Sequence, residues 1–445
     1  MNLTKQSIIN LYKEDILRDL AELVSIKSVT SDRDECTRAM EFIVNRAREM
    51  GLRAEMPHPL YCYAEYGDSQ DYNAVLTHLD VVPAGDGWNS DPFTLTNRDG
   101  FLLGRGVADD KGASIISLYC LKALKESGIV PKTRVRSIFG SAEETGMTDL
   151  EAYFENNPLP RKAFTPDSDF PVCNREKGIL QLFVTLKDEN SDFTQLECGS
   201  AVNCVAEKAF VEYNCDEQTK INFSNLLKEK NIVAKVTYSQ SGILASFEGV
   251  SAHAMEPHKG DNAIYKLIAA LKAAECKSKV IELIEKLVAK EGFDLSDEPS
   301  GELTICIGLL NKTNNDIKFS VDIRYPVTCS GNEIFAAIEK LCEKYGAKAE
   351  IDSHHEPIYF PEDAPLIKLL GEAYKEATGQ EAGCYSTGGG TYARTLCGRG
   401  VAFGPVFPDS PPARLHMANE NLPEEDYFKF AGICFEAVKK LAEDE

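Results

Sequence analysis

The sequence predicts an α/β protein: a mixed, mostly parallel sheet covered by helices, with an α+β domain inserted into it. Three observations carry that expectation. Apolar, β-rich runs alternate with helical patterns up to about residue 166, the order that builds a parallel sheet with helices on both faces. At 445 residues the chain exceeds an ordinary single core, so two domains are expected. Candidate metal-binding side chains stand both before residue 170 and at His416, so one site draws on both ends of the chain. The middle then reads as an insertion, with its crossings on the surface where insertions are tolerated.

The elements follow in order. Helical patterns cover residues 5–24 and 34–50, the second preceded by Ser31 and Asp32 as caps. The run Tyr72-Asn73-Ala74-Val75-Leu76-Thr77 reads as a buried parallel strand, and Thr77-His78-Leu79-Asp80-Val81-Val82-Pro83 stands at its C-terminal end. Side chains two apart in a strand leave on one face, so His78 and Asp80 point together at the edge where open α/β sheets bind ligands. Gly104-Arg105-Gly106-Val107-Ala108-Asp109-Asp110-Lys111-Gly112 then opens a helix marked by Ile115, Ile116, Leu118, Tyr119, Leu121 and Leu124. A β-branched run, Thr133 to Phe139, leads into Gly140-Ser141-Ala142-Glu143-Glu144-Thr145-Gly146, and Thr165-Pro166-Asp167-Ser168-Asp169-Phe170-Pro171 again puts carboxylates after a short apolar approach. In the middle, runs at 179–184 and 316–322 bracket amphipathic helices. The C-terminal part holds a helix from Pro365, the Gly388–Gly390 loop, a short strand at Val401–Phe403, and a final helix from Pro423. Arg414-Leu415-His416-Met417-Ala418-Asn419-Glu420 precedes that last helix.

Taken singly, these motifs are weak. A lone His-x-Asp is more often packing or surface, and adjacent aspartates before a helix serve as an N-cap. A glutamate pair just past a buried strand is harder to explain structurally, because glutamate is rarely buried unpaired. Together they supply imidazoles and carboxylates, ligands that suit zinc, manganese or cobalt. A carboxylate near a ligating histidine also fits, because the second ring nitrogen needs an acceptor.

Composition narrows the class. Hydrophobic content of 43% with 27% charged residues is that of an ordinary globular enzyme. A net charge of −22 argues against nucleic-acid or anionic-membrane partners, and means that an anionic substrate needs a local cation. The first residues reach Glu14 and Asp15 without an apolar signal region, and no uncharged stretch approaches a membrane span. The 14 cysteines contain no Cys-x-x-Cys pair, so free thiols in a reducing cytoplasm are expected. Gly388–Gly390 lacks the partners of a phosphate loop and suits a close backbone approach to substrate, with Gly389 at its centre. His58, His258, His354 and His355 are assigned to surface or packing, and Trp88 to packing beside the His78 loop.

The motifs at His78–Pro83, Gly104–Gly112, Glu143–Gly146 and Pro166–Pro171 run in the order of a known family. So do Ser251-Ala252-His253-Ala254, Asp322-Ile323-Arg324-Tyr325-Pro326, Gly388–Arg394 and His416. On them, the chain resembles the ArgE/DapE/aminoacylase/carnosinase metallopeptidases, and among those the PepV-like bacterial dipeptidases. The resemblance implies a zinc-peptidase-like catalytic domain from residues 1–179 and 359–445, with a lid at 180–358 that binds substrate. It implies two divalent ions, zinc foremost, with Asp109 bridging, His78 and Asp167 on one ion, and Glu144 and His416 on the other. Asp167 is favoured over Asp169 by its place after Pro166. Glu143 would be the general base, Asp80 would stand behind His78, and the Asp109-Asp110 peptide would be cis. From the lid, His253 would donate to the oxyanion with help from Asn203, itself also readable as a turn residue. Arg324 would clamp the substrate's carboxylate. A carboxylate such as Asp110 or Asp169 would read a free substrate amine. The implied enzyme is a monomer, with a dimer as the alternative, acting on small peptides. Two rivals stand beside it: an N-acyl-amino-acid amidohydrolase, and a metal-free binding protein on an inactivated scaffold.

Overall fold

A computed structural model describes residues 5–187, 193–276 and 278–444. The chain divides into two compact units, one of residues 1–175, 358–386 and 390–445, the other of 176–357 with 387–389. Three residues of the glycine-rich stretch, Gly389 among them, thus belong with the second unit rather than with the C-terminal segment that surrounds them.

The first unit is organised by one mixed sheet. Its strands lie in the spatial order Arg53–His58, Tyr61–Tyr66, Arg134–Gly140, Tyr72–His78, Ala163–Thr165, Gly400–Ala402, Val172–Glu176 and Ile358–Tyr359. The centre is parallel, Tyr72–His78 lying between Arg134–Gly140 and Ala163–Thr165, and Ala163–Thr165 pairing in turn with Gly400–Ala402. Antiparallel pairs flank this centre. Every residue of Tyr72–His78 is buried, because parallel neighbours border it and both sheet faces are covered. Val75 joins the core formed with helices Lys5–Ser25, Arg33–Glu49, Lys111–Glu126, Pro365–Thr378 and Glu424–Glu443. Ala74 and Leu76 face the other way, onto Leu150, Tyr153, Tyr392 and Leu396. By the two-residue period, His78 emerges on that second face. The expected cap at Asp32 forms, its carboxylate accepting from Glu35 N at 3.2 Å.

The second unit is an antiparallel sheet backed by helices. Gly178–Lys187 pairs with Asp316–Tyr325 on one side and with Ala347–His355 on the other, both strands running longer than their apolar cores. Helices Ala263–Ala273, Lys279–Val288 and Gly331–Lys344 share one core with this sheet. Among the described residues, none of the 14 cysteines is in a disulfide. Among the described residues, no helix is long and apolar enough to cross a membrane.

One aromatic cluster anchors the segment that follows Asp167. Phe170 is buried among Phe403, Phe407, Tyr374 and Phe430, with ring centroids 5.0, 4.7, 5.5 and 6.2 Å away. Gly404 lies so close that a Cβ there would meet the Phe170 ring at 2.4 Å. Phe170→Ala is therefore expected to cost about 3–5 kcal/mol of stability. A clear fall in melting temperature, read by calorimetry, checks this.

Candidate metal centre

Five segments of the first unit bring their polar residues together at the C-terminal edge of its parallel strands. His78 ends its strand fully buried, with Nδ1 2.9 Å from the carbonyl of Asp80 and Nε2 2.9 Å from Asp109 Oδ1. The second carboxylate oxygen of Asp109 lies 3.0 Å from His416 Nε2, and the same nitrogen lies 3.1 Å from Glu144 Oε2. Asp109 thus stands between two imidazoles with one oxygen toward each. Ligand atoms of His78, Asp109 and Glu144 fall within 4.8 Å of one another, as do those of His78, Glu143 and Asp167. All six side chains singled out as ligands or base, from five sequence motifs, are in these contacts. Asp169, the rival to Asp167, belongs to neither group and is exposed.

Each loop has a local reason for its shape. Gly112 opens its helix where a Cβ would sit 2.1 Å from the Val107 carbonyl, so the 104–112 loop folds tightly onto the helix start. The Asp109-Asp110 peptide is cis. Asp110 occupies the N-cap position of Lys111–Glu126 without a side-chain capping bond, and its Oδ2 accepts instead from His78 N at 3.2 Å. Fully buried there, Asp110 is not placed to read a substrate amine, which corrects one of the two candidates for that role. The glutamate pair sits on a short helical turn, Glu143–Thr145. Asp80 accepts from the amides of both Glu143 and Glu144 at 3.3 Å and from the Thr30 hydroxyl at 2.8 Å. The loop carrying His416 is tightly wound, with Arg414, His416 and Asn419 all in the left-handed region at φ 59–63°. Such backbone in non-glycine residues costs on the order of 1–3 kcal/mol and persists where surrounding contacts enforce it.

Just beyond that loop stands a buried pair to which the sequence reading gave no role, Glu420 and Arg105. Glu420 is fully buried and accepts from the amides of Gly106, Ala108 and Asp109 at 2.9–3.2 Å, while Arg105 Nη1 donates to it at 2.6 Å. The arginine also donates to the carbonyls of Pro83 and Ala84 and lies over the Trp88 ring, so Trp88 packs beside the His78 loop as expected. A small antiparallel sheet of Asn421–Pro423, Phe101–Leu103 and Thr96–Arg98 completes the junction. An arginine and a glutamate 315 positions apart leave no local pattern, so only the invariably weak hint of a Glu after the His416 loop was available.

Electrostatics follow from this crowding. Hydrogen bonds to Asp109 and Glu144 push His416 up to about 11. Burial works against a charge on His78, but bonds to Asp109 and Asp80 outweigh it and hold the ring well above its usual value. Burial would likewise raise Asp109, yet the two imidazoles keep it far below the ordinary carboxylate range. Burial and the Asp167 charge raise Glu143 strongly; burial and the Asp109 charge raise Asp167 and Glu144. Two imidazoles and four carboxylates, converging with one carboxylate central, fit divalent cations of borderline hardness.

In the second unit, the structure brings Asn203 and His253 together. Cys204 and His253 form an isolated antiparallel bridge, and Ala254 N donates to the Asn203 carbonyl at 2.9 Å. His253 Nδ1 accepts from Met255 N at 3.1 Å, which puts the proton of a neutral ring on Nε2. Arg324 is buried, its Nε and Nη2 forming a bidentate pair with Asp322 at 2.7 and 2.9 Å, while Nη1 donates to the Gly388 carbonyl at 2.9 Å. A Cβ on Gly388 would approach Met255 Cβ to 2.9 Å, so the close approach at this glycine is to Met255. Gly389 N donates to Thr387 Oγ1 at 3.0 Å. Of the histidines assigned to packing, His58 stacks on Tyr61, His354 bonds Tyr325 and His355 bonds Ser353.

A family model for peptidase family M20/M25/M40 matches residues 74–440. The chain belongs to this family. As a family member it is a peptidase, and the resemblance seen in its motifs is borne out. A protein of Bacillus subtilis strain 168 described as "putative dipeptidase YtjP" is 31% identical over 97% of this chain and 98% of its own length. Among solved structures, the di-peptidase Dug1p of Saccharomyces cerevisiae aligns with a TM-score of 0.63 at 16% identity, over 98% of both chains. Human carnosine dipeptidase 1 aligns at 0.60 and 15% identity, also over 98% of both. These two likenesses show the fold, an M20-type mixed α/β architecture.

Bonds to neighbouring carboxylates raise His78 and His416 above the usual imidazole range, so a divalent ion bound by these rings would compete with protons. Metal titration near pH 7 should therefore release protons, and affinity should fall as pH is lowered. Calorimetry in two buffers of different ionisation enthalpy checks this, since equal heats in both would contradict it.

Proposed function

We propose that this M20-family chain is a dipeptidase that hydrolyses the peptide bond of short peptides with two divalent ions at the centre formed by His78, Asp109, Glu143, Glu144, Asp167 and His416. The observation that carries the reading is the Asp109 carboxylate, one oxygen facing each imidazole, with the glutamate pair beside it. In this reading Asp109 would serve both ions, His78 and Asp167 would hold one, and Glu144 and His416 would hold the other. Bound there, such ions supply a Lewis acid for the scissile carbonyl and lower the pKa of a water. The dipeptidase name carried by the Bacillus subtilis relative supports the choice of substrate class.

Glu143 is the general base. It takes the proton of the attacking water and passes it to the leaving amine nitrogen. Its backbone amide is held by Asp80, which also holds the amide of Glu144, so the adjacent glutamates leave the turn in fixed and separate directions. His253, with its ring proton on Nε2, donates to the oxyanion, a contribution often worth ~3–4 kcal/mol. Arg324 reads the substrate's C-terminal carboxylate. Its pairing with Asp322 spends two of its N–H groups on orientation, and its hold on Gly388 sets the loop that approaches the substrate backbone at Gly389. In a chain of charge −22, this fixed cation gives a small anion a place to bind.

Glu143→Gln should lower kcat by several orders of magnitude while both metals stay bound, measured by dipeptide hydrolysis beside metal analysis. Loss of metal with modest loss of rate would exchange the roles of Glu143 and Glu144. Arg324→Ala should raise KM for dipeptides, and amidating the substrate's C-terminus should raise KM for the wild-type enzyme in the same way. Equal cleavage of dipeptide amides and free acids would refute the carboxylate clamp. A preference for N-acetyl amino acids over dipeptides would assign the chain to amidohydrolysis instead.

A further inference from the structure

Two tyrosines of the first unit, without a role in the chemistry above, reach segments that carry candidate ligands, Tyr385 directly and Tyr392 through Asp149. Tyr385 lies on the strand Cys384–Thr387. Its hydroxyl stands 2.7 Å from Ser168 Oγ, accepts from Asp169 N at 2.8 Å and donates to the Asp169 carbonyl at 2.9 Å. With Ser168 as the other donor, one phenolic oxygen has its hydrogen and both lone pairs satisfied. All three contacts fall on the two residues that follow Asp167. Burial pushes this phenol well above its usual range, so it stays a donor.

Tyr392 is fully buried on the His78 face of the sheet. Its ring meets the His78 imidazole edge-on, centroids 6.2 Å apart and planes at 87°. Its hydroxyl donates to Asp149 Oδ2 at 2.5 Å, and that same oxygen accepts from Ala142 N at 2.7 Å. Three consecutive amides, those of Ala142, Glu143 and Glu144, therefore end on buried carboxylates, the first on Asp149 and the next two on Asp80. The preceding strand ends in Gly140, where a Cβ would fall 2.0 Å from the Tyr392 hydroxyl and 2.3 Å from Asp149 Oδ2. The strand end thus keeps room for this pair.

We propose that Tyr385 and Tyr392 are positioning residues of the metal centre: the Tyr385 hydroxyl fixes the loop presenting Asp167, and the Tyr392 hydroxyl, through Asp149, fixes the turn presenting Glu143 and Glu144. This rests on the metal-centre reading above. The hydroxyls touch backbone, the Ser168 hydroxyl and Asp149 rather than ligand side chains, so they act on where the ligands point. Phenylalanine at either position keeps the ring in its packing and removes only the hydroxyl.

The experiment uses the full-length chain as wild type, Tyr385→Phe, Tyr392→Phe, Asp149→Asn and the Tyr392→Phe/Asp149→Asn double variant. Manganese(II) binding is titrated by calorimetry, and dipeptide kcat and KM are measured at saturating manganese, with melting temperatures as the fold control. Outer partners of metal ligands typically contribute roughly 10–100-fold to affinity or activity, and losses of that order are expected here. Tyr385→Phe should weaken manganese binding by about tenfold or more, with most of kcat returning at saturating metal. Tyr392→Phe should lower kcat by about tenfold or more even at saturating metal, with KM little changed. Asp149→Asn should do the same, and the double variant should be no worse than the poorer single one, because both changes break one link. Lowered melting temperatures with wild-type metal affinity and kcat would overturn the proposal, as would additive kcat losses for Tyr392 and Asp149. If the wild type binds manganese yet cleaves no dipeptide, the substrate reading fails while the manganese titration of Tyr385→Phe still decides its part. Wild type that binds no manganese would remove the metal-centre reading and this proposal with it.

Discussion

The buried carboxylate of Glu420 is the contact on which the centre depends. It collects three backbone amides of the 106–109 loop and the Arg105 guanidinium, and it does so from the segment that carries His416. Together with the pairing of Asn421–Pro423 and Phe101–Leu103, it joins the loop of Asp109 to the loop of His416, which come from opposite ends of the chain. A buried carboxylate is costly unless each oxygen finds donors, and here the donors are the amides whose positions define the Asp109 loop. The same bonds that satisfy Glu420 therefore fix where Asp109 stands. A carboxylate at this position also resists exchange for an apolar residue, since its loss would strand a buried guanidinium.

Around that junction the first unit solves one electrostatic problem repeatedly. Carboxylates crowded in a chain of charge −22 repel one another, and burial worsens the penalty. The structure answers by alternation. Asp109 lies between His78 and His416, Asp80 between the His78 ring and the amides of the glutamate turn, and Asp149 between Tyr392 and Ala142. Compensation is incomplete: Glu143, Asp167 and Glu144 are raised, and so are Asp110, Asp149 and Glu420, burial being the leading cause in each. Perturbed groups gathered in this way mark functional sites more often than structural ones. In the proposed reading, divalent cations would relieve that excess.

Much of this was legible residue by residue. The strand Tyr72–His78 announced itself through a largely apolar, β-rich run, because a strand buried on both faces shows no alternating polar side. The cap at Asp32 and the helix from Pro365 followed from local rules of helix ends, and both stand where those rules put them. His78, Asp109 and the glutamate pair were visible because each sits beside a strand or helix end, where a polar residue needs a reason. Asp110 was misjudged as a candidate for the substrate's amine. Its sequence neighbourhood resembles that of Asp109, but the chain turns it inward onto the His78 amide, and no local pattern records that turn. Glu420, Arg105, Tyr385 and Asp149 escaped notice for the same reason, since their partners are distant in sequence.

The sequence by itself determined the family, the mixed α/β class and the chemical types of the side chains that converge. These depend on local periodicity, on residues at element ends and on motif order, all of which are read one segment at a time. Tertiary structure alone decided which oxygen of Asp109 faces which imidazole, that the second unit takes residues 387–389, and that Arg324 is braced by Asp322 and Gly388. The physical reason is range. Helix caps and strand patterns are settled by neighbours within a few residues, whereas a buried charge is settled by whatever donor the fold brings to it, and that donor can come from anywhere in the chain.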